Sequence, residues 1–113
     1  MKILLILSAL ATVLSADDSS GCDKLLPDGV LPGESTSLTI DSKSGVTPRG
    51  YRLHIPTSYE KNTPIPLILS FHGRGKTAEY QEALSQFSNT SYGFEGIAVY
   101  PEGVPVRDYT EIQ

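Results

Sequence analysis

A chain of 113 residues with nine Lys and Arg against thirteen Asp and Glu carries a formal net charge of −4 and no basic stripe, which argues against nucleic acid as a partner. Its length allows one modest hydrophobic core and no more. One cysteine and two well-separated histidines make no metal-ligand cluster at a recognisable spacing, and no apolar run is long enough to span a membrane.

In chain order, Lys2 followed by the apolar Ile3 to Leu7 and Ala9 to Ala11 reads as a signal peptide over residues 1–16, with Ser15-Ala16 as the cleavage site before Asp17-Asp18. The remainder is then expected to be secreted. Residues 17–34 are rich in Ser, Gly, Pro and Asp and read as an extended lead-in. Cys22 lies within it. An odd cysteine in an oxidising compartment implies a bridge to another chain, a reactive thiol, or half of a disulfide whose other half lies beyond residue 113; the last is the expectation.

Ser35 to Ile40 is predicted as a strand, with Leu38 and Ile40 alternating around Thr39, and residues 41–48 as a turn-rich connector. Arg49 to Ile55 alternates more clearly. Tyr51, Leu53 and Ile55 share one face, Arg52 and His54 the other, which places His54 toward solvent. The two strands are expected to form an antiparallel hairpin at the edge of a sheet. After the proline-rich loop 56–66, Leu67 to Phe71 is a continuous apolar run that suits a central strand covered on both faces. Thr77 is placed to cap a helix running to about Phe87, with Glu79 and Glu82 in its first turn and an apolar stripe at Tyr80, Ala83, Leu84 and Phe87. Asn89-Thr90-Ser91 is an N-glycosylation sequon, so Asn89 is a sugar acceptor if the chain is exported. Gly96 to Tyr100 is a second buried strand, ended by Pro101-Glu102-Gly103. The predicted class is α/β: an antiparallel hairpin followed by a parallel strand–helix–strand unit in one mixed sheet, with a right-handed crossover.

The chemistry centres on His72-Gly73-Arg74-Gly75, which leaves the C-terminal end of a predicted strand, the edge where open α/β sheets bind ligands. Glycines permit positive φ and close backbone approach, so N–H groups there can be turned toward a carbonyl oxygen that gains negative charge in acyl transfer. His72, Gly73, Arg74 and Gly75 are therefore assigned as an oxyanion-binding loop. The attacking group is missing from the sequence. No Gly-x-Ser-x-Gly elbow occurs; Gly33-Glu34-Ser35-Thr36-Ser37 lacks the second glycine and precedes a strand. In that mechanism the histidine follows the nucleophile and the acid in the chain, so neither His54 nor His72 is assigned as a base, and no catalytic triad residue is named. The run from His72 to Thr77 lacks the first glycine of a phosphate-binding loop.

Tyr51 to Pro56, Leu67 to Gly75 and Ala98 to Gly103 together resemble the N-terminal part of secreted fungal feruloyl esterases, a group similar to polyhydroxybutyrate depolymerases and acetylxylan esterases; Ser20-Gly21-Cys22 fits the same group. The resemblance runs from Gly21 to Val104. It implies that residues 35–104 form part of an α/β-hydrolase sheet. It also implies acyl-enzyme chemistry by a Ser-His-Asp triad, without metal or organic cofactor, on ferulate esters of arabinoxylan or on small esters. Only the oxyanion loop carries over to this chain. The stretch 105–113 departs from the pattern, and the Trp that usually follows the Pro-Glu-Gly turn is absent. The chain is thus expected to be a truncated esterase, inactive and poorly folded alone. Acetyl or hydroxybutyrate esters are the alternative substrates, and a small secreted non-catalytic binding module is the alternative of a different class.

Overall fold

The computed structural model describes residues 20–41 and 48–103; the signal peptide read at 1–16 and the atypical tail read at 105–113 lie outside them. The described elements are strand β1 (Ser35–Ile40), β2 (Arg49–His54), β3 (Leu67–Leu69), helix α1 (Ala78–Ser85), a short 3-10 turn (Thr90–Tyr92) and β4 (Ile97–Pro101). They form one sheet in the order β1-β2-β4-β3. β2 pairs antiparallel with β1 and with β4, and β3 pairs parallel with β4. The hairpin, the parallel pair and the helix between them match the expected mixed α/β arrangement.

Register decides which residues share a face, because directly paired residues project the same way. Ser35 pairs with His54, Ser37 with Arg52, Arg52 with Tyr100, and His54 and Ile68 both with Ala98. This face lies under α1. Ala78, Ala98 and Tyr100 form its buried centre, with Ile68, Phe87 and Phe94 packed around them. The Phe87 and Phe94 rings meet edge to face at 5.4 Å. The opposite face presents Leu38, Tyr51, Leu53, Val99, Leu67 and Leu69, and no described helix or strand packs on it.

Three expectations change here. β3 is an edge strand, not a central one: Leu67 and Leu69 are 63% and 54% exposed because they project onto the uncovered face, and Phe71 lies beyond the strand's end. The helix turns a different stripe inward. Ala78, Gln81, Glu82 and Ser85 face the sheet, while Tyr80 and Leu84 face out. The cause is polar satisfaction: Gln81 Nε2 donates to Ser70 Oγ at 2.9 Å and Glu82 accepts from Ser35 and Arg52, partners available only underneath. Tyr80 instead lies under the Lys76 ammonium, 4.5 Å from the ring centroid. Gln86 then takes a left-handed conformation and donates its N–H to Glu82 O, which ends the helix before Phe87 and frees that ring to join the core. Third, His54 is not solvent-facing. It is 5% exposed, since its side of β2 is the side α1 covers.

Candidate functional site

The His72–Gly75 loop starts where the β3–β4 ladder stops, at Ser70 N–H donating to Val99 O (2.9 Å). Lys76 N–H donates back to Gly73 O at 3.2 Å, closing a turn whose third residue, Gly75, has φ +72°. A turn of this kind needs positive φ at that position, which glycine adopts without steric cost. A Cβ at Gly75 would meet nothing within 4 Å, so the requirement is conformational and not one of space. The chain then enters α1 through Thr77, whose Oγ1 accepts from Tyr80 N–H at 3.1 Å as predicted for a cap. Gly73, Arg74 and Gly75 are exposed, and their N–H groups have no acceptor among the described residues.

The loop is held from the end of β4. Gly103 N–H donates to His72 Nε2 at 3.0 Å, so Nε2 is bare and the ring proton sits on Nδ1, which donates to Gly73 O at 2.8 Å. This makes His72 a neutral imidazole in one tautomer. Gly103 suits the contact, because a Cβ there would lie 3.0 Å from His72 Cε1. Glu102 Oε2 accepts from Ala78 N–H at 2.8 Å, and its Oε1 lies 3.7 Å from His72 Nε2. Beside these groups a groove of about 700 Å³ opens on the uncovered sheet face, lined by Phe71 and His72 of the loop, Arg49 and Tyr51 of β2, and Val99 to Gly103 in part. Of the four predicted loop residues, His72 lines the groove; Gly73, Arg74 and Gly75 stand outside its lining.

A second polar cluster lies under α1, and sequence reasoning missed it. His54 Nδ1 is 3.0 Å from Ser35 Oγ, and Ser35 donates its proton to Glu82, which also accepts from Arg52 Nε. Arg52 further donates to Ser37 Oγ at 3.2 Å. Burial alone would push the Glu82 carboxyl up; hydrogen bonds from Ser35, Arg52 and Ser88 and the Arg52 charge outweigh it and hold the group below the usual carboxylate range. Burial likewise lowers His54 from its ordinary value, and the Glu82 charge, which pulls the other way, does not overcome it. A serine, a histidine and a carboxylate meet here, but in the wrong order for nucleophilic catalysis. A nucleophile must give its proton to the base; Ser35 gives its proton to Glu82 and receives one from His54. The cluster ties β1, β2 and α1 together.

Asn89 is exposed between α1 and β4. Its Oδ1 accepts from Ser91 N–H (3.1 Å) and its Nδ2 donates to Gln86 Oε1 (3.0 Å). Cys22 lies exposed in the lead-in. Among the described residues no three His, Cys, Asp or Glu side chains converge to hold a metal, and no helix is long and apolar enough to cross a membrane.

Over 77 residues the chain is 34% identical to feruloyl esterase D of Neurospora crassa, a match that takes in 68% of this chain. The chain is feruloyl esterase-like. It spans about a quarter of that enzyme's length, the matched part being 24% of it. A solved ferulic acid esterase structure aligns at 20% identity and a TM-score of 0.46, over 61% of this chain and 30% of that one. No protein-family model matches the chain. Glu102, which the sequence offered only as part of a strand-ending turn, is the member of this feruloyl esterase-like segment whose role no local pattern announces.

Proposed function

We propose that this chain supplies the oxyanion-binding part of a secreted carboxylic-ester hydrolase acting on ferulate esters of plant cell-wall polysaccharide. The observation that carries the reading is the exposed run of amides at Gly73, Arg74 and Gly75, posed by a positive-φ turn at the C-terminal end of a parallel strand. Such donors stabilise the alkoxide of a tetrahedral intermediate without reorganising, and loss of one raises the barrier by about 3–4 kcal/mol. The neighbouring groove supports an aromatic acyl group, since Tyr51 and Phe71 flank it. The 34% identity to a feruloyl esterase supports the same substrate class. The nucleophile, acid and base are proposed to lie on polypeptide outside these 113 residues, because the sequence holds no serine elbow. Export through residues 1–16, a sugar on Asn89 and a disulfide at Cys22 belong to the same proposal.

Methyl ferulate hydrolysis tests it. The 113-residue chain alone is expected to be inactive, and a product of the reading frame extended through a Gly-x-Ser-x-Gly is expected to be active and blocked by a serine-directed phosphonate. In that product Gly75→Ala, which disfavours the positive φ, is expected to lower kcat by roughly 10²–10³-fold with little change in KM. Turnover by the purified 113-residue chain would overturn the proposal, as would a downstream frame without a serine elbow.

A further inference from the structure

The geometry points to Glu102 as the positioning residue of the His72–Gly75 loop, an inference that rests on the oxyanion reading above. Three fastenings hold the path from β3 to α1, and all three come from the last five residues of β4 and its turn. Val99 O takes Ser70 N–H where the loop begins. His72 Nε2, in its middle, accepts from Gly103 N–H. Glu102 Oε2 takes Ala78 N–H where it ends. Between the second and third fastenings lie the amides of Gly73, Arg74 and Gly75, which have no acceptor among the described residues. The helix cap proper is already supplied by Thr77, which serves Tyr80 N–H and not Ala78 N–H. Glu102 therefore does something the cap does not: it registers the far end of the loop against β4, and its second oxygen stands 3.7 Å from the imidazole that β4 also holds. The carboxylate is more than a third exposed, so its charge is screened by water and the useful property is the acceptor at Oε2. A neutral isostere should then serve nearly as well.

The test is solution NMR on the 113-residue chain. In the unaltered chain the imidazole nitrogen shifts are expected to report one neutral tautomer of His72, protonated at Nδ1. In Glu102→Ala, exchange of the Ala78 amide is expected to speed up roughly tenfold. The His72 signature becomes a mixture of tautomers, and the amides of Gly73 to Gly75 lose order, while those of Ala98 and Tyr100 keep their protection. Glu102→Gln is expected to restore all three readouts. Thr77→Ala, which removes only the cap, leaves the His72 signature unchanged. The inference is overturned if Glu102→Ala leaves Ala78 exchange and loop order as they were. It is equally overturned if protection at Ala98 is lost together with the loop, since Glu102 then supports the fold at large, or if the Gln variant fails to restore the loop. None of these readouts involves hydrolysis, so a failure of the Glu102 role is distinguishable from a failure of the esterase reading.

Discussion

Helix α1 rests on one face of one sheet, yet the two halves of that contact are built differently. Over β1 and β2 the helix is held by Glu82, shared among Ser35, Arg52 and Ser88, with His54 behind Ser35. Over β4 and β3 it is held chiefly by Ala78 against Ala98 and Tyr100, with Ile68, Phe87 and Phe94 closing the sides and a single side-chain hydrogen bond, Gln81 to Ser70, past the end of β3. Apolar burial is non-directional and loses roughly in proportion to the area exposed. A half-buried polar network fails differently, because removing one member leaves the others desolvated and unpaired. One helix thus depends on volume along one edge and on partnership along the other.

The largest effect should come from breaking the apolar half. Tyr100 is fully buried on the central strand β4, so Tyr100→Ala is expected to cost about 3–5 kcal/mol in urea denaturation. Breaking the polar half comes next. Glu82→Ala leaves Ser35, Arg52 and Ser88 without their shared acceptor, and is expected to cost about 2–3 kcal/mol in the same assay. If the Glu82 variant proved as stable as the parent chain, the network would be ornament and the apolar half alone would seat the helix.

The two halves should also separate by pH. His54 and Glu82 both have folded-state values lowered from the ordinary ones. For each, the unfolded chain takes up a proton at a higher pH than the folded chain does, so acid favours unfolding. The His54 contribution is complete above its unfolded value of about 6.5 and fades as pH falls from there toward the lowered folded value. The Glu82 contribution is complete above about 4.3 and fades on further acidification. Thermal midpoints measured from pH 8 to pH 3 are expected to fall in two stages. His54→Gln should abolish the upper stage and Glu82→Gln the lower one, while the apolar packing of Ala78 and Ala98 contributes equally throughout.

This contrast also marks what the sequence could reveal. Local patterns found the elements: β1 occupies Ser35–Ile40 as read, Thr77 caps α1, and the Gly73–Gly75 turn sits where the glycines place it. Alternation along β2 separated Tyr51 and Leu53 from Arg52 and His54, but a period of two does not say which side a helix will cover. Here the helix chose the polar side, because Glu82 and Gln81 carry hydrogen-bonding groups that match Arg52, Ser35 and Ser70. The apolar stripe at Tyr80 and Leu84 was a true helical period with no partner beneath it. In the candidate site the loop was legible and its fastenings were not. Those come from Glu102 and Gly103, 24 and 31 residues downstream of the groups they hold, and no short-range spacing encodes such contacts.

The smallest expected effect is the sharpest comparison of the two halves, since each loses a single hydroxyl. The Tyr100 hydroxyl is buried with no partner among the described residues, beside the apolar side chains of Ala78 and Ala98. A buried donor without an acceptor forfeits its hydration and gains nothing in return. Tyr100→Phe is therefore expected to raise stability by about 1 kcal/mol, with the ring and its packing unchanged. Ser35→Ala, in the polar half, removes a hydroxyl that receives from His54 and gives to Glu82, and is expected to lower stability by about 1 kcal/mol. Opposite signs for two hydroxyl deletions under one helix, read as shifts in Tm, are what the division requires. A loss of stability in Tyr100→Phe would mean that the phenol has found an acceptor, and the β4 side of the helix contact would then be polar as well.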